Sequence, residues 1–280
     1  MKIGVSSYSF SQYINAGKMT QFDCIEKAKE LGYDAIEFID LHPHDGSTQA
    51  EYAEKIRDKA KEVGIEISAY TIGACLIQDT DELLQAELAR VKEQIDIAAI
   101  LGVKKMRHDA YFAQNKYRSF YNALPELADN IRTITEYAEK KGIKTMVENH
   151  GRVCQDSIRM EQLVAAVNHD NFGLLVDMGN FLCVDEDPVT AVSRVAPYAF
   201  HAHTKDFKAF GFDYPEDGCI TTRGCNKIRG TITGRGIVPV AQCVNILKMA
   251  GYDDVFSVEF EGPEDCIDAV SDALKFLRRL

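Results

Sequence analysis

Four apolar runs in the sequence end on side chains that can bind a metal ion or carry a proton. IKTMVENHG, Ile143 to Gly151, delivers Glu148 and His150 and then breaks at glycine. LLVDMGN ends near Asp177, FHAHTKD holds His203, and VFSVEFEG holds Glu259. A charge at the end of a buried strand needs a partner, because burying it unpaired is expensive. Taken singly, each carboxylate reads most simply as a salt-bridged or capping residue, and His203 as a hydrogen-bonded core residue. Taken together, three carboxylates and an imidazole on four successive strands would repel one another unless a divalent cation held them. An oxygen-rich set with one imidazole suits Mn²⁺ first, then Mg²⁺ or Co²⁺, better than a thiolate-loving site, and Zn²⁺ stays open.

Those side chains need a frame. Lys2 to Ser7, Asp34 to Ile39, Ile65 to Tyr70, Val103 to His108, the run from Ile143, Gly173 to Asp177, Ala199 to His203 and Val255 to Glu259 read as strands. Between them lie helical stretches that start at Ser, Thr or Pro and stop at Gly: Thr20 to Leu31, Ser47 to Gly64, Thr80 to Gly102, and Pro239 to Gly251. Further helices are expected from about Pro125 to Lys141, Ser157 to Asn168, Pro188 to Val195 and Glu264 to Leu280. Lys205 to Gly236 reads as a long irregular loop. About eight strands alternating with about eight helices predict an α/β fold, a closed (β/α)₈ TIM barrel, as one domain over residues 1–280. An open doubly wound sheet is the runner-up, disfavoured because no GxGxxG follows the first strand. In such a barrel chemistry sits at the C-terminal strand ends. Met146 and Glu148 share a face, as do Leu175 and Asp177, His201 and His203, and Ser257 and Glu259. Parity does not say which face is the interior, since both faces are buried.

The formal net charge of −11 opposes nonspecific attraction to phosphate backbones. Arg223, Lys227, Arg229 and Arg235 form one local basic cluster, either a solvated loop or a clamp for an anionic or polyhydroxy substrate. The eight cysteines are scattered without a CxxC, and are expected to be mostly free thiols. MKIGVSSYSF is too short and polar for a signal peptide, and no apolar run approaches the ~20 residues of a membrane helix. A soluble cytoplasmic protein with no nucleic-acid or membrane partner is expected.

These motifs resemble the xylose isomerase-like TIM-barrel superfamily, in its sugar phosphate isomerase/epimerase branch. The resemblance is carried by IEF at Glu37, VENHG, LLVDMGN, HAHTKD, GRGIVPV and GYDDVFSVEFEG, and covers nearly the whole chain. It implies one divalent metal ion on Glu148, Asp177, His203 and Glu259. It also implies a carbohydrate substrate, and an isomerase or epimerase passing a proton between Glu148 and Glu259 through an enediolate. His108, His150, Lys205, Arg235 and Arg107 are then candidates for binding substrate oxygens. Epimerases of this group resemble DxxH in strand six. Here the last position is Asn180, which can hydrogen-bond a hydroxyl but cannot titrate near neutral pH. A homo-oligomer is also implied. Three other readings compete. One is a lyase or dehydratase acting on a keto-sugar or keto-polyol at the same metal. The others are an apurinic endonuclease, disfavoured by Asn180 and the acidic charge, and a non-catalytic sugar-binding barrel.

Overall fold

The computed structural model describes residues 1–112, 116–215 and 218–280. From the N-terminus the elements run β1 (Lys2–Ser6), α1 (Ser11–Asn15), α2 (Gln21–Leu31), β2 (Ala35–Ile39), α3 (Gln49–Val63), β3 (Glu66–Ile72) and α4 (Asp81–Leu101). Next come β4 (Lys105–His108), α5 (Phe120–Glu139), β5 (Lys144–Glu148), α6 (Ser157–Val167), β6 (Phe172–Asp177), α7 (Pro188–Val195) and β7 (Ala199–Thr204). The chain closes with β8 (Asp206–Phe210), β9 (Ile220–Thr221), β10 (Lys227–Thr231), α8 (Val240–Met249), β11 (Val255–Val258) and α9 (Cys266–Leu277). β1 to β7 and β11 form a closed parallel barrel in the order β1-β11-β7-β6-β5-β4-β3-β2. The (β/α)₈ expectation is met.

Local chemistry sets the helix ends. Thr20 and Thr48 each accept the N–H of the residue three on, while Asp23 and Glu51 accept the threonine N–H in return. The helix expected from about Pro125 starts earlier. Ser119 Oγ accepts the Tyr121 N–H at 3.2 Å, so the first turn forms upstream and the proline sits inside α5. Gly64 and Gly102 end α3 and α4 at φ 74° and 79°, in the left-handed region open to glycine.

The stretch from Lys205 to Gly236 is not an irregular loop. Its ends fold into a three-stranded antiparallel sheet, with β10 paired to both β8 and β9. Positions 216 and 217 of that stretch lie outside the described residues. A single side chain ties the sheet back to the barrel. The Asp206 carboxylate accepts the N–H groups of Phe207, Gly234, Gly236 and Val238 at 2.8–3.0 Å. Among the described basic residues of this region, Arg223 pairs with Asp156, Lys227 donates to Thr221 and Arg229 stacks over Phe210.

The barrel interior is polar at both ends. At the N-terminal end Lys105 donates to the Phe200 carbonyl and to Asp254. Ala69, Met146 and Leu175 make a small apolar cluster above it. That cluster shows which face of β5 and β6 looks inward, and it is the face carrying Glu148 and Asp177. The larger apolar core lies between the strands and the surrounding helices. All eight cysteines are free thiols. Among the described residues no helix is long and apolar enough to cross a membrane.

Candidate metal centre

Glu148 and Asp177 end β5 and β6, His203 lies near the end of β7, and Glu259 follows β11 directly. One ligand atom from each can be chosen so that all lie within 4.8 Å of one another. His203 Nδ1 is 3.8 Å from Glu148 Oε1, 3.7 Å from Asp177 Oδ2 and 3.5 Å from Glu259 Oε2. The four side chains expected to converge do so.

Each candidate ligand is aimed by neighbours. Asn149, beside Glu148, clamps the end of β6 by donating to the Asp177 carbonyl at 2.9 Å and accepting the Asp177 N–H at 2.8 Å. Asp177 Oδ1 accepts the N–H groups of Gly179 and Asn180, both at 2.8 Å. That leaves Oδ2 facing the cluster. A side chain at Gly179 would put Cβ 2.9 Å from the Lys205 carbonyl, so this turn packs directly on the end of β7. Glu148 accepts from Arg107 at 2.7 Å on Oε2 and from Asn180 at 2.8 Å on Oε1.

His203 is aimed from below. Its Nε2–H donates to Glu37 Oε1 at 2.7 Å, and His201 Nε2–H donates to the other oxygen of the same carboxylate at 2.6 Å. All three are buried. β2 and β7 are not neighbours in the barrel, so these bonds cross its interior. Strand register shifts at Ile36/Phe38 and at Leu174/Leu175, flanking Glu37 and preceding His201. Such irregularities re-aim side chains next to functional sites. Fixing Nε2 as the donor leaves Nδ1 as the free lone pair, the usual arrangement for a metal-binding histidine.

The donors fit a divalent cation. Asp177 Oδ2 and His203 Nδ1 are buried and make no hydrogen bond among the described residues, with Lys205 Nζ 3.5 Å from Oδ2 as its nearest ion-pair partner. A buried polar atom without a partner is costly, and two aimed at one point call for a common ligand. Protons and a cation compete for this site. Burial disfavours protonated His203, yet Glu37 and Glu259 outweigh it and raise its pKa well above the ordinary range, so a cation binding at Nδ1 displaces a proton there. Burial also opposes ionisation of Glu259, but Lys205 and His203 hold its carboxyl well below the usual value. Burial raises Glu148, partly countered by Arg107.

A cavity of about 210 Å³ opens over the cluster. At ~30 Å³ per water it has room for roughly seven waters, the bulk of one small polar ligand. Arg107, Asp109, His150, Lys205, Glu261 and Tyr8 line it together with Glu148, His203 and Glu259. Lys205 Nζ lies 2.5 Å from Glu259 and 3.6 Å from Glu261. His150 Nδ1 is 3.2 Å from Asp109. Lys205, His150 and Arg107 thus stand where substrate-binding residues were expected.

Three other candidates do not. His108 alternates with Arg107 along β4 and points away from the cavity. It is fully buried, and its Nδ1–H donates to the Asp109 carbonyl at 2.8 Å. Arg235 pairs with Asp272 on the surface. Asn180 is buried between Glu148 and Lys205, bonded to both, and does not line the cavity. Conversely, Glu37, His201, Asp109 and Glu261 contribute where the motifs had given them no role. A charged residue inside the apolar strand AIEFI was the available signal for Glu37.

The xylose isomerase-like TIM barrel family model matches residues 25–280. The chain belongs to this family. Family relatives include inosose dehydratase 1 of Bacillus cereus, 24% identical over 179 residues, 63% of this chain and 58% of that protein. The chain therefore aligns with less than two-thirds of that relative's length. The IOLI protein with a bound zinc atom superposes with TM-score 0.79 at 18% identity, over 100% of this chain and 97% of the other. D-psicose 3-epimerase from Clostridium cellulolyticum H10, with D-tagatose, gives TM-score 0.77 at 16% identity, over 100% and 99%. At these identities the structural likeness shows the fold alone.

Proposed function

We propose that the protein is a divalent-metal-dependent isomerase or epimerase of a sugar or sugar derivative. The observation that carries this reading is the convergence of Glu148, Asp177, His203 and Glu259, with two of their buried atoms left for a common ligand. Mn²⁺ suits three carboxylates and one imidazole. The zinc in the IOLI structure makes Zn²⁺ the first competitor. A bound dication supplies Lewis-acid stabilisation to substrate oxygens, worth several kcal/mol.

The protein side chains do the rest. Arg107, His150 and Lys205 line the cavity and hold the substrate oxygens. One glutamate, Glu148 or Glu259, removes the proton from the carbon next to the carbonyl. The electron pair moves onto the carbonyl oxygen, and a proton then returns to carbon. Arg107 lies 2.7 Å from Glu148 and Lys205 lies 2.5 Å from Glu259, so each carboxylate has its own cation beside it.

The dehydratase reading shares the first step. It is favoured by the relatives named inosose dehydratase. After proton removal, the β-hydroxyl takes a proton from a protonated carboxyl and leaves as water while a carbon–carbon double bond forms. Elemental analysis, then incubation with ketoses, aldoses and inositol ketones plus Mn²⁺ in deuterated water, separates the two by NMR. Deuterium at the reacting carbon with every oxygen retained supports isomerisation or epimerisation. Loss of water from the product supports the lyase, and no reaction across the panel counts against both.

A further inference from the structure

A second cavity, of about 590 Å³, adjoins the first at the same end of the barrel. It lies between the segments that follow β1 and β2. Tyr8, Ile39 and Asp40 face both cavities. The outer one is more than twice the volume of the inner one.

Its walls mix apolar faces with hydrogen-bonding edges. Ile14 and Met19 contribute apolar surface, and the exposed His44 ring is backed by the buried ring of Tyr52. Those rings meet edge to face at 5.7 Å, and Phe22 braces them at 5.1 and 6.0 Å. Ser7, Asn15 and His42 add polar groups.

The wall is built rather than slack. Gln21 Nε2 donates to the carbonyls of Ile39 and Asp40 at 3.2 and 2.9 Å, and its Oε1 accepts the His42 N–H at 3.1 Å. The Asp40 N–H donates to the Thr71 carbonyl at 3.0 Å. Between these ties Asp40 is held at φ 28°, a conformation L-residues rarely adopt. Strain of that kind persists where surrounding contacts over-determine it, and it clusters at ligand sites.

We propose that the outer cavity is the second half of the substrate site. It takes a flat ring, sugar or aryl, carried on an oxygen of the sugar whose carbonyl lies at the metal cluster. The substrate is then a substituted keto-sugar rather than a free monosaccharide. This rests on the keto-sugar reading of the inner cavity. A ring with apolar faces and hydroxyl edges matches a pocket that sets Ile14, Met19, Ile39 and the rings of Tyr8 and His44 among scattered polar groups. A bare monosaccharide would fill the inner cavity and leave the outer one to water.

Calorimetry on the Mn²⁺-loaded protein tests it. The probes are D-fructose, the glucosyl-D-fructoses linked at O3, O4, O5 and O6, and 6-O-benzyl-D-fructose. At least one two-ring probe binds about tenfold or more tighter than fructose, equivalent to ~1.4 kcal/mol. A glucosyl preference identifies a glycoside, and a benzyl preference an aryl ether. Asn15→Trp, which fills the cavity from an exposed position, and His44→Ala, which removes part of its wall, reduce that preference and leave fructose binding unchanged. Equal binding of all probes, or a preference that survives both variants, overturns the proposal alone. No binding by any probe overturns the keto-sugar reading and this proposal with it.

Discussion

Glu37 offers the sharpest test of how the metal cluster is held. Its carboxylate is fully buried and receives two imidazole N–H bonds, at 2.6 and 2.7 Å. In Glu37→Gln one oxygen remains an acceptor, and the other becomes an NH₂ group facing an N–H. One buried imidazole donor loses its partner, at ~1–3 kcal/mol for the unsatisfied group. Removing one member of a buried ion pair costs ~3–5 kcal/mol. A loss of about 3 kcal/mol lowers Tm by roughly 5–10 °C for a protein of this size. His203 is also freed to turn, and loss of such an outer partner weakens metal binding ~10–100-fold. Scanning fluorimetry in chelated buffer reads the first effect, and calorimetric titration with Mn²⁺ the second. A variant with wild-type Tm and wild-type Mn²⁺ affinity refutes the reasoning, because Glu37 then neither compensates charge nor orients the ligand.

Three further outcomes are expected. Glu148→Gln and Glu259→Gln each reduce turnover by at least ~10²-fold, the usual contribution of a positioned acid or base, with circular dichroism unchanged. Near-normal turnover in either variant removes that residue from proton transfer. His108 is pushed down to about 4, mainly by burial, with the Asp109 carbonyl opposing. Its free value is ~6.5, so between the two the unfolded chain binds a proton that the fold refuses. Its contribution is therefore full above pH ~6.5 and falls by up to ~3 kcal/mol as pH drops toward 4. Urea midpoints at pH 7.5 and 4.5 should differ less in His108→Gln, and an unchanged difference assigns the acid sensitivity elsewhere. Asp206→Ala strands four backbone N–H groups and should cost ~3 kcal/mol or more. Faster hydrogen exchange at residues 232–238 reads the loss, and protection equal to wild type contradicts the anchoring role.

The barrel and its four converging side chains were legible because they depend on short-range signals. Apolar runs ending on a carboxylate or imidazole mark strand ends, and Gly or Thr marks the helices between them. What stayed hidden depends on register. Arg107 and His108 are adjacent, and only one can face inward. The choice is fixed by the pairing of Arg107 with Met146, which no local pattern announces. The Glu37 and His201 contact also needs the two register shifts and a crossing of the barrel interior. The small sheet from β8 to β10 was read as loop because its strands are short and the segments between and after them hold Gly211, Gly218, Gly224, Gly234 and Gly236. Its anchor, Asp206, looked like part of the motif around His203 rather than a cage for backbone amides. Asn180 was placed on substrate by its position in the DxxH-like stretch of the resemblance, and the fold sets it between Glu148 and Lys205.

The crossing bonds at Glu37 bear on how the molecule comes together. The partners lie 164 and 166 positions apart in the chain. Until β7 arrives, Glu37 points into a half-built barrel without its imidazoles, and a bare carboxylate there favours an open, hydrated interior. β11 then joins β7 to β1, so ring closure also brings Glu259 to the candidate ion site. An N-terminal fragment ending before β7 should remain a swollen intermediate, unable to dry its centre or to capture an ion.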